Sequence, residues 1–469
     1  MADPTTPLAV IGAGPGGYAA AFLAADLGMQ VTLIDTAPLP GGVCLHVGCI
    51  PSKALLHAAA LLSEARAASR LGITFPEPAI DVARLRAWKD EVVGKMTRGL
   101  AQMGKARGVT YLQGRARLLD GHTLEVTSPE GGARRLAFEH AILATGSRPA
   151  LPPGLASESP RLMDSTAALA LEEVPETLLV VGGGYIGLEL GTVYAALGAR
   201  VTCVEMTGEL LPGADRDLVK ILARRLGKAF AAIHLETTVT ALEESGEGLR
   251  VRFRGKGPAE GLFQRVLIAT GRRPCSDGLG LENTAVVVDE RGFVAVDASR
   301  RTAEPAIFAI GDLTGEPLLA HKATHEGRVA VETVHGRNVA FEPRAIPAVV
   351  FTDPEIAWCG LTERLAAAQG HAVKVTRFPW GASGRATTRA RDDGLTKLLC
   401  DRSSGRILGV GIVGAGAGEL IGAGVLAMEM GARAGDVALT IHPHPTLSET
   451  FMAAAELFTG RCTDLPPAR

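Results

Sequence analysis

The sequence has almost no charge imbalance, few aromatic residues and few cysteines. Its 48 lysines and arginines nearly cancel its 50 aspartates and glutamates, which argues against a nucleic-acid surface or a polybasic membrane surface. The combination of 57 glycines with only 4% aromatic residues favours many tight turns between strands and helices. Seven cysteines, an odd number, are not the pattern of a secreted disulfide scaffold. We therefore expect a reducing cytoplasm, in which a disulfide would be catalytic.

Long apolar runs are also missing. No uninterrupted run approaches the roughly 18 to 20 residues of a membrane-spanning helix. The first apolar run begins near Leu8, so we expect neither a membrane anchor nor a signal or transit peptide. At 469 residues the chain is too long for one ordinary core, and two to four domains are expected.

The sequence contains a glycine motif near its start. Residues 7–35 have the pattern strand, glycine turn, helix, strand, with Gly12, Gly14 and Gly17 spaced as G-x-G-x-x-G and Asp35 at the end of the second strand. Such glycines allow a tight turn, the close approach of a pyrophosphate to the helix N-terminus, and close packing of helix on strand. Asp35 is placed to accept hydrogen bonds from ribose hydroxyls.

The same motif recurs in residues 178–205. Gly182, Gly184 and Gly187 follow a strand and Glu205 closes the unit, each 170 positions after its counterpart. A glycine turn that only packs well is a reasonable alternative for one copy but a poor one for two. Two such units predict two dinucleotides and a reaction that passes electrons between them. The carboxylate of Glu205 accepts from a free 2′-hydroxyl and repels a 2′-phosphate, so NAD is favoured over NADP.

Two further segments, AILATGSRP and VLIATGRRP, also resemble each other. Each has an apolar strand, then Gly146 or Gly271, then a proline that stops regular structure. We interpret them as the places where the chain passes from one domain to the next. Residues 302–312 predict another buried strand, which ends at Asp312, and this carboxylate is placed to bind a ribityl or ribose hydroxyl.

The rest of the chain predicts helices and short strands. Residues 55–70 and 82–102 have helical periodicity, and residues 109–147 read as short strands. From about residue 346 short alternating strands surround helices, which predicts an antiparallel α+β domain. The predicted fold class is therefore α/β, with two Rossmann-like dinucleotide-binding units followed by an α+β domain.

Two cysteines, Cys44 and Cys49, lie five positions apart just ahead of a predicted helix. Five helical residues separate Cα atoms by roughly 8 to 9 Å, whereas a disulfide requires about 4.4 to 6.8 Å. If the two pair, the segment between them must be an irregular turn, for which Gly48 supplies the freedom, and Pro51 suits the first helical position. A Cys49 thiolate would then lie near the positive end of the helix dipole. Two buried core cysteines are the alternative.

A histidine-rich segment, IHPHPTLSET, lies near the C-terminus. His444 precedes Glu449 by five residues, and a histidine held by a carboxylate is the usual form of a general base. The alternative is a proline-rich turn with surface histidines.

Taken together, these motifs resemble the pyridine nucleotide-disulfide oxidoreductases over essentially the whole chain. The resemblance implies a homodimer with tightly but non-covalently bound FAD, which oxidises protein-bound dihydrolipoamide and reduces NAD+. The lipoyl substrate would belong to 2-oxo acid dehydrogenase complexes or the glycine cleavage system. The implied domains are FAD-binding (1–149), NAD-binding (150–274), central and completing the FAD site (275–345), and interface (346–469).

The resemblance also implies roles for individual residues. Cys44 would exchange with the substrate dithiol and Cys49 would contact the flavin, the two forming a redox-active disulfide. His444 would be the base, oriented by Glu449, and would act on the cysteines of the other subunit. The implied pair near flavin N5 is Lys53 with Glu189. The implied FAD contacts are Gly12, Gly14, Gly17, Asp35, Gly42, Lys53, Ala116, Thr145, Gly146, Asp312 and Ala320. The implied NAD contacts are Gly182, Gly184, Ile186, Gly187, Glu205, Val239, Ala269 and Gly271.

Three positions depart from the family pattern. His46 stands where asparagine is common and is expected to affect the disulfide's potential or exchange rate. Asp35 stands where glutamate is common, which shortens the reach to the ribose. Tyr185 follows the second glycine turn, where it either covers the nicotinamide pocket or only packs.

Other functions remain open at this stage. Glutathione-type reductases would carry arginines after the second unit, and mercuric reductases would add a C-terminal cysteine pair, where only Cys462 is present. A non-catalytic structural subunit is a third alternative, which the complete set of redox residues argues against. We expect structural roles for the remaining cysteines, which are Cys203, Cys275, Cys359, Cys400 and Cys462.

Overall fold

The computed structural model describes residues 4–152, 154–155 and 159–466. The predicted absence of a leader rests partly on residues 1–3, which lie outside the described residues. The elements of the first third are β1 (Thr5–Ile11), α1 (Pro15–Asp26), β2 (Val31–Asp35), α2 (Gly42–Val47), α3 (Cys49–Ala67), α4 (Val82–Ala106), β3 (Thr110–Gln113), β4 (Arg115–Leu118), β5 (Thr123–Thr127), β6 (Ala133–Leu143) and β7 (Ser147–Pro149).

The middle third contains β8 (Leu162–Met163), α5 (Ser165–Ala170), β9 (Thr177–Val181), α6 (Tyr185–Ala196), β10 (Arg200–Val204), α7 (Arg216–Ala229), β11 (Ala232–His234), β12 (Thr237–Ser245), β13 (Gly248–Gly255), β14 (Glu260–Phe263), β15 (Arg265–Ile268) and β16 (Arg272–Pro274). The last third contains β17 (Ile307–Ala309), α8 (Ala320–Val334), β18 (Ala348–Val350), β19 (Glu355–Gly360), α9 (Glu363–Ala368), β20 (Val373–Pro379), α10 (Gly384–Thr388), β21 (Leu395–Asp401), β22 (Ile407–Gly414), α11 (Ala417–Glu429), α12 (Ala434–Leu439) and α13 (Glu449–Thr459). Short 3₁₀ helices occupy Ala68–Leu71, Leu281–Asn283, Gly311–Thr314 and Trp380–Ala382.

The first sheet has parallel strands in the order β3-β2-β1-β6, with β5 and β4 antiparallel at one side and β17 also paired to β6. Its near-continuous apolar strands are typical of a sheet buried on both faces. Helices α1 and α8 share an apolar cluster with this sheet. The two helices approach each other closely at glycines, because a Cβ at Gly327 would lie 2.8 Å from the carbonyl oxygen of Gly16. The 307–334 segment, predicted as part of a separate central domain, thus completes the first sheet.

The second sheet repeats this arrangement. Its parallel strands follow the order β11-β10-β9-β15-β8, and β12, β13 and β14 form an antiparallel sheet beside it. The two glycine motifs therefore each lie between two adjacent parallel strands, β1 and β2 or β9 and β10, as the sequence predicts. The segments AILATGSRP and VLIATGRRP, called the ATG segments below, come together. Strand β7 pairs antiparallel with β16 and places Arg272 opposite Pro149.

The last domain is a five-stranded antiparallel sheet in the order β18-β19-β22-β21-β20. Trp380 is fully buried against it and donates from Nε1 to Oγ1 of Thr396 at 2.9 Å. The predicted α/β class with a final antiparallel α+β domain is confirmed. The exact domain boundaries stay predictions.

The predicted helix after the cysteines begins earlier than the sequence indicates. We expect it to start at Pro51, but α3 starts at Cys49 and Pro51 is its third residue. The physical reason is that every N–H of a helix's first turn lacks an intrahelical partner, so proline is tolerated throughout that turn.

The segment Gly42–Leu71 is long and apolar enough, by length and composition, to cross a membrane, with a mean hydropathy of 1.4. The search for uninterrupted runs missed it because polar residues are scattered along it. One such segment is weak evidence, since the core helix of a soluble protein passes the same test. Here Leu55, Leu56 and Ala59 are buried in an apolar cluster with residues of α6. We interpret α3 as a core helix.

A buried lysine joins the second sheet's helix α7 to the last domain. Lys397 is fully buried, and its Nζ lies 2.8 Å from Oδ2 of Asp215, 3.0 Å from Oδ1 of Asp217 and also against Glu363. These three carboxylates are close enough together to hold a metal ion. In this structure the lysine ammonium lies among them, and Arg377 also pairs with Asp217 and Glu363.

Candidate functional site

A cavity of about 660 Å³ opens between the first sheet, helix α3 and the second glycine unit. It borders the N-terminus of α1, where free backbone N–H groups and the helix dipole favour a phosphate. The predicted FAD contacts that line it are Gly12, Gly14, Asp35, Gly42, Lys53, Ala116, Thr145, Gly146, Asp312 and Ala320. Gly17 does not line the cavity. A Cβ there would lie 1.8 Å from the carbonyl oxygen of Gly12, so Gly17 serves the packing of helix on strand.

The first glycine turn is held by Asp35. Gly12 has φ +103°, and a Cβ on it would lie 2.3 Å from the carbonyl oxygen of Ala144, so no other residue fits. Asp35 accepts from the backbone N–H of Ala13 at 2.6 Å and of Ala37 at 2.9 Å. Because Asp35 also lines the cavity, it both closes the turn and presents a carboxylate to a ligand there.

The second glycine turn is built the same way. Gly182 has φ +113° and approaches the carbonyl oxygen of Ala269, where a Cβ would lie 2.4 Å away, and Glu205 accepts from the N–H of Gly183 at 2.7 Å. The space beside Gly184 is open, since no atom lies within 4 Å of a Cβ built there. The other predicted NAD contacts are placed as follows: Gly187 packs against Gly182, Gly271 follows β15 with φ +138°, Val239 is buried on β12, and Ile186 lines the large cavity.

The two candidate redox cysteines lie on either side of a break between α2 and α3. A Cβ at Gly48 would lie 2.7 Å from the carbonyl oxygen of Val43 and 3.2 Å from Cα of Cys44. Only glycine permits this approach, which folds the start of α3 back towards Cys44. Residues 44–47 are helical and the irregularity is confined to Gly48, whereas the irregular turn is expected for a disulfide-bonded pair. Cys44 and Cys49 are both free thiols here, the reduced form of the predicted pair.

A hydrogen bond between the thiols separates their pKa values. The Cys44 thiol donates to the Cys49 sulfur, which lowers the pKa of Cys49 to about 7. The same bond, together with burial, raises the pKa of Cys44. The Lys53 ammonium also lowers the pKa of Cys49. Of the two thiols, Cys49 is therefore the one that ionises first.

Lys53 connects three parts of the chain. Its Nζ lies 2.7 Å from Oε2 of Glu189 on α6, and Oε1 of Glu189 accepts from the backbone N–H of Phe351 at 2.9 Å. The Lys53 ammonium also lies 4.4 Å from the centre of the Phe351 ring. Glu189 is 3% exposed. The cysteine helix, the second glycine unit and the last domain thus meet at this carboxylate, as the predicted Lys53–Glu189 pair requires.

Sequence reasoning missed Phe351, Ser147 and Arg272. Phe351 contributes a backbone N–H and a ring face, which leave no recognisable signal in one sequence. Ser147 and Arg272 belong to the two ATG segments, and the likeness of those segments could have suggested that they pair. Ser147 donates from Oγ to Oδ2 of Asp312 at 2.5 Å and accepts from Nε of Arg272 at 2.7 Å.

His444 and Glu449 are brought together but lie apart from the cysteines in the same chain. Nδ1 of His444 is 2.9 Å from Oε1 of Glu449, whose Oε2 accepts from the N–H of Thr446 at 2.7 Å. The His444 side chain is 79% exposed, and neither residue lines the cavity. A single chain therefore presents the histidine and the thiols on separate surfaces.

The departures from the family pattern are accommodated in the cavity wall. His46 lines the cavity and donates from Nε2 to the carbonyl oxygen of Leu39 at 3.0 Å, which ties α2 to the preceding loop. Tyr185 is the first residue of α6, is 40% exposed and lines the cavity. The effects predicted for both residues stay predictions.

The remaining cysteines are placed as structural residues, with one exception. Burial raises the pKa of Cys203, Cys359 and Cys400 to about 12 and raises that of Cys462, which makes all four poor nucleophiles. Cys275 lies in the cavity wall.

Comparisons of the sequence and of the structure with known proteins point to the same family. Residues 6–327 match the model for "Pyridine nucleotide-disulphide oxidoreductase", and residues 346–455 match the dimerisation domain of the same family. Proteins named dihydrolipoyl dehydrogenase from Haemophilus influenzae and Vibrio cholerae are each 48% identical, covering 99% and 98% of this chain and 97% of each relative.

Among solved structures, LpdA from Mycobacterium tuberculosis superposes with a TM-score of 0.90 at 28% identity, covering 96% of this chain and 99% of that one. The HOCl-induced flavoprotein disulfide reductase RclA from Escherichia coli, a Cu(II) complex, has a TM-score of 0.87 at 28% identity and covers 97% and 100%. From the glycine turns to the last sheet, the chain belongs to the pyridine nucleotide-disulphide oxidoreductase family.

Proposed function

We propose that this protein is a cytoplasmic FAD enzyme that oxidises protein-bound dihydrolipoamide to lipoamide and reduces NAD+ to NADH. The observation that carries the proposal is the Cys44–Cys49 thiol pair, with a thiolate at Cys49, in the wall of a cavity beside the Lys53–Glu189 pair. The names of the full-length relatives at 48% identity support the choice of substrate.

The cavity fits FAD in shape and chemistry. At about 660 Å³ it has the volume of a cofactor site. The N-terminus of α1 would receive the pyrophosphate, Asp35 the ribose and Asp312 a ribityl hydroxyl. Lys53 and Cys49 line the same space and would face the isoalloxazine. When bound, FAD accepts the electron pair of the reduced cysteines and delivers it to NAD+ as a hydride.

The second glycine unit fits NAD. Glu205 keeps a carboxylate beside the open turn at Gly184, where it would accept from the ribose 2′-hydroxyl and repel the phosphate of NADP. Thr207 donates both its N–H and its hydroxyl to Glu205, at 2.8 and 2.9 Å, which fixes the carboxylate in place.

The thiol exchange requires a second copy of the chain. His444 is exposed and does not line the cavity of its own chain, and residues 346–455 match a dimerisation domain. We place His444 of the partner subunit against the Cys44–Cys49 pair, held by Glu449 through Nδ1 so that Nε2 handles the proton.

Two successive thiol–disulfide exchanges transfer the electron pair from the substrate to the cysteines. His444 of the partner subunit accepts a proton from one substrate thiol, and the resulting thiolate attacks the Cys44 sulfur. The Cys44–Cys49 bond breaks, Cys49 leaves as a thiolate and Cys44 is bonded to the substrate. The histidine passes the first proton to the departing Cys44 sulfur, and as the second substrate sulfur displaces Cys44 and lipoamide leaves, the histidine takes up the proton of that second thiol. The electron pair now resides on the two cysteines.

The test is the rate of NADH formation by the FAD-loaded protein with dihydrolipoamide and NAD+. NADP+ in place of NAD+, and reduced glutathione in place of dihydrolipoamide, are the parallel controls. Fast turnover with dihydrolipoamide and NAD+ alone is expected. No turnover in protein that retains FAD would contradict the substrate, and equal rates with reduced glutathione would favour a glutathione-type reductase.

A further inference from the structure

Ser147 is hydrogen-bonded to charged groups on both sides. Its hydroxyl donates to Oδ2 of Asp312 at 2.5 Å and accepts from Nε of Arg272 at 2.7 Å, while Nη2 of Arg272 donates to the Ser147 carbonyl oxygen at 2.5 Å. Ser147 is 2% exposed, and all three residues line the cavity. A hydroxyl that accepts from a cation is polarised and donates more strongly to an anion.

We propose that Arg272 is a positioning residue for FAD that acts through Ser147 on the carboxylate of Asp312. The inference rests on the proposed function, because FAD must occupy this cavity. Oδ1 of Asp312 has no partner among residues 4–152, 154–155 and 159–466 and remains for a ligand hydroxyl. With Oδ2 fixed by Ser147, the carboxylate cannot rotate without breaking the chain of hydrogen bonds.

Ser147, Arg272 and Asp312 come from three separate segments of the chain. Ser147 and Arg272 are brought together by the pairing of β7 with β16, the two crossovers between domains. Arg272 follows Gly271, a predicted NAD contact. A conformational change in the predicted NAD-binding unit that moves Arg272 would therefore alter the hydrogen bond between the Ser147 hydroxyl and the Asp312 carboxylate.

The loop that carries Asp312 is held in place by hydrogen bonds that do not involve Ser147. Glu326 is fully buried and accepts from the N–H of Gly311 at 2.6 Å, and Lys322 donates to the carbonyl oxygens of Gly311 and Gly315 at 3.2 and 3.0 Å. Loss of the Ser147 hydroxyl should therefore loosen the carboxylate and leave the loop in place.

The experiment is a double-mutant cycle on the holoenzyme, with Arg272→Met, Ser147→Ala and the double variant. The readout is the rate of FAD release, followed by the rise in flavin fluorescence, with far-UV circular dichroism as the check on folding. Each single variant should release FAD about tenfold faster, the size of one hydrogen bond to a charged group. The double variant should be no faster than about tenfold, since Arg272 acts through the Ser147 hydroxyl, which Ser147→Ala already removes. The matched control is Arg273→Met, an exposed neighbour that should stay within twofold.

Two results would overturn the inference. One is an unchanged rate of FAD release in Arg272→Met and Ser147→Ala, and the other is a double variant about one hundredfold faster, which would mean independent effects. Wild-type protein that binds FAD and gives the coupled cycle, but does not oxidise dihydrolipoamide, would contradict the proposed function alone. Protein that takes up no FAD would contradict both.

Discussion

Lys53 and Glu189 form a 2.7 Å ion pair across the cavity wall, although 136 positions separate them in the sequence. Glu189 is almost fully buried and has a second partner in the backbone N–H of Phe351. One carboxylate therefore sets the position of Lys53, whose charge acts on Cys44 and Cys49, and holds the last domain against the cysteine helix.

Glu189→Gln should weaken the positioning of Lys53 and the contact with the last domain, while it keeps the shape of the side chain. Lys53 would lose its counter-ion, and because its side chain is 34% exposed, we expect a loss of about 1–2 kcal/mol in the free energy of unfolding rather than the full cost of an isolated buried charge. Flavin reduction by dihydrolipoamide should also slow. Stopped-flow absorbance and denaturant unfolding measure the two effects. Glu332→Gln, which breaks an exposed pair with Arg337, is the matched control and should change stability by less than about 0.5 kcal/mol.

The reduced protein should alkylate at Cys49 with a midpoint near pH 7. The pKa of Cys49 is lowered to about 7, so the thiol predominates below this pH and reacts slowly, whereas the thiolate predominates above it and reacts fast. Rates of iodoacetamide labelling between pH 5 and 10, with peptide mapping, measure the midpoint.

The Cys44 hydrogen bond predicts the order of two variants. Cys44→Ser keeps a donor to the Cys49 sulfur and Cys44→Ala removes it, so the midpoint should be higher in Cys44→Ala than in Cys44→Ser. Equal midpoints would show that the hydrogen bond does not lower the pKa.

A shared active site predicts complementation between two inactive chains. Co-expressed His444→Gln and Cys49→Ser chains should form about half heterodimers by random pairing. Each heterodimer has one complete site, so activity should return to about a quarter of wild type, while each variant alone has almost none. No recovery in a verified mixture would place the histidine and the cysteines of one chain in the same site. His442→Gln, a neighbour bonded to the Thr440 carbonyl oxygen, should stay active and serves as the control.

Glu205→Gln should reduce selectivity for NAD+ over NADP+. The amide keeps the size of the side chain but loses the charge that accepts from the 2′-hydroxyl and repels a 2′-phosphate. We expect kcat/KM with NAD+ to fall about tenfold, the value of one hydrogen bond to a charged group, with a smaller fall for NADP+. Glu260→Gln, on an exposed strand in the same part of the chain, should leave both values unchanged.

Much of the fold follows from local sequence signals. The glycine turns, the strands before them and the acids after them were predictable because φ near +100° at Gly12 and Gly182 excludes every other residue. The antiparallel last domain was predictable from its alternating strands. The start of α3 was not, since the first turn of a helix tolerates proline at several positions.

The sequence by itself determined which residues are candidates for the chemistry, because thiols, a histidine–carboxylate pair and duplicated glycine turns are recognisable in one dimension. Only the tertiary structure decided how they are joined. The Glu189–Phe351 contact, the Arg272–Ser147–Asp312 chain and the separation of His444 from Cys44 and Cys49 all depend on the packing of segments more than one hundred residues apart. Hydrogen bonds of this kind are set by distance in space and by burial, and no local pattern of residues encodes either.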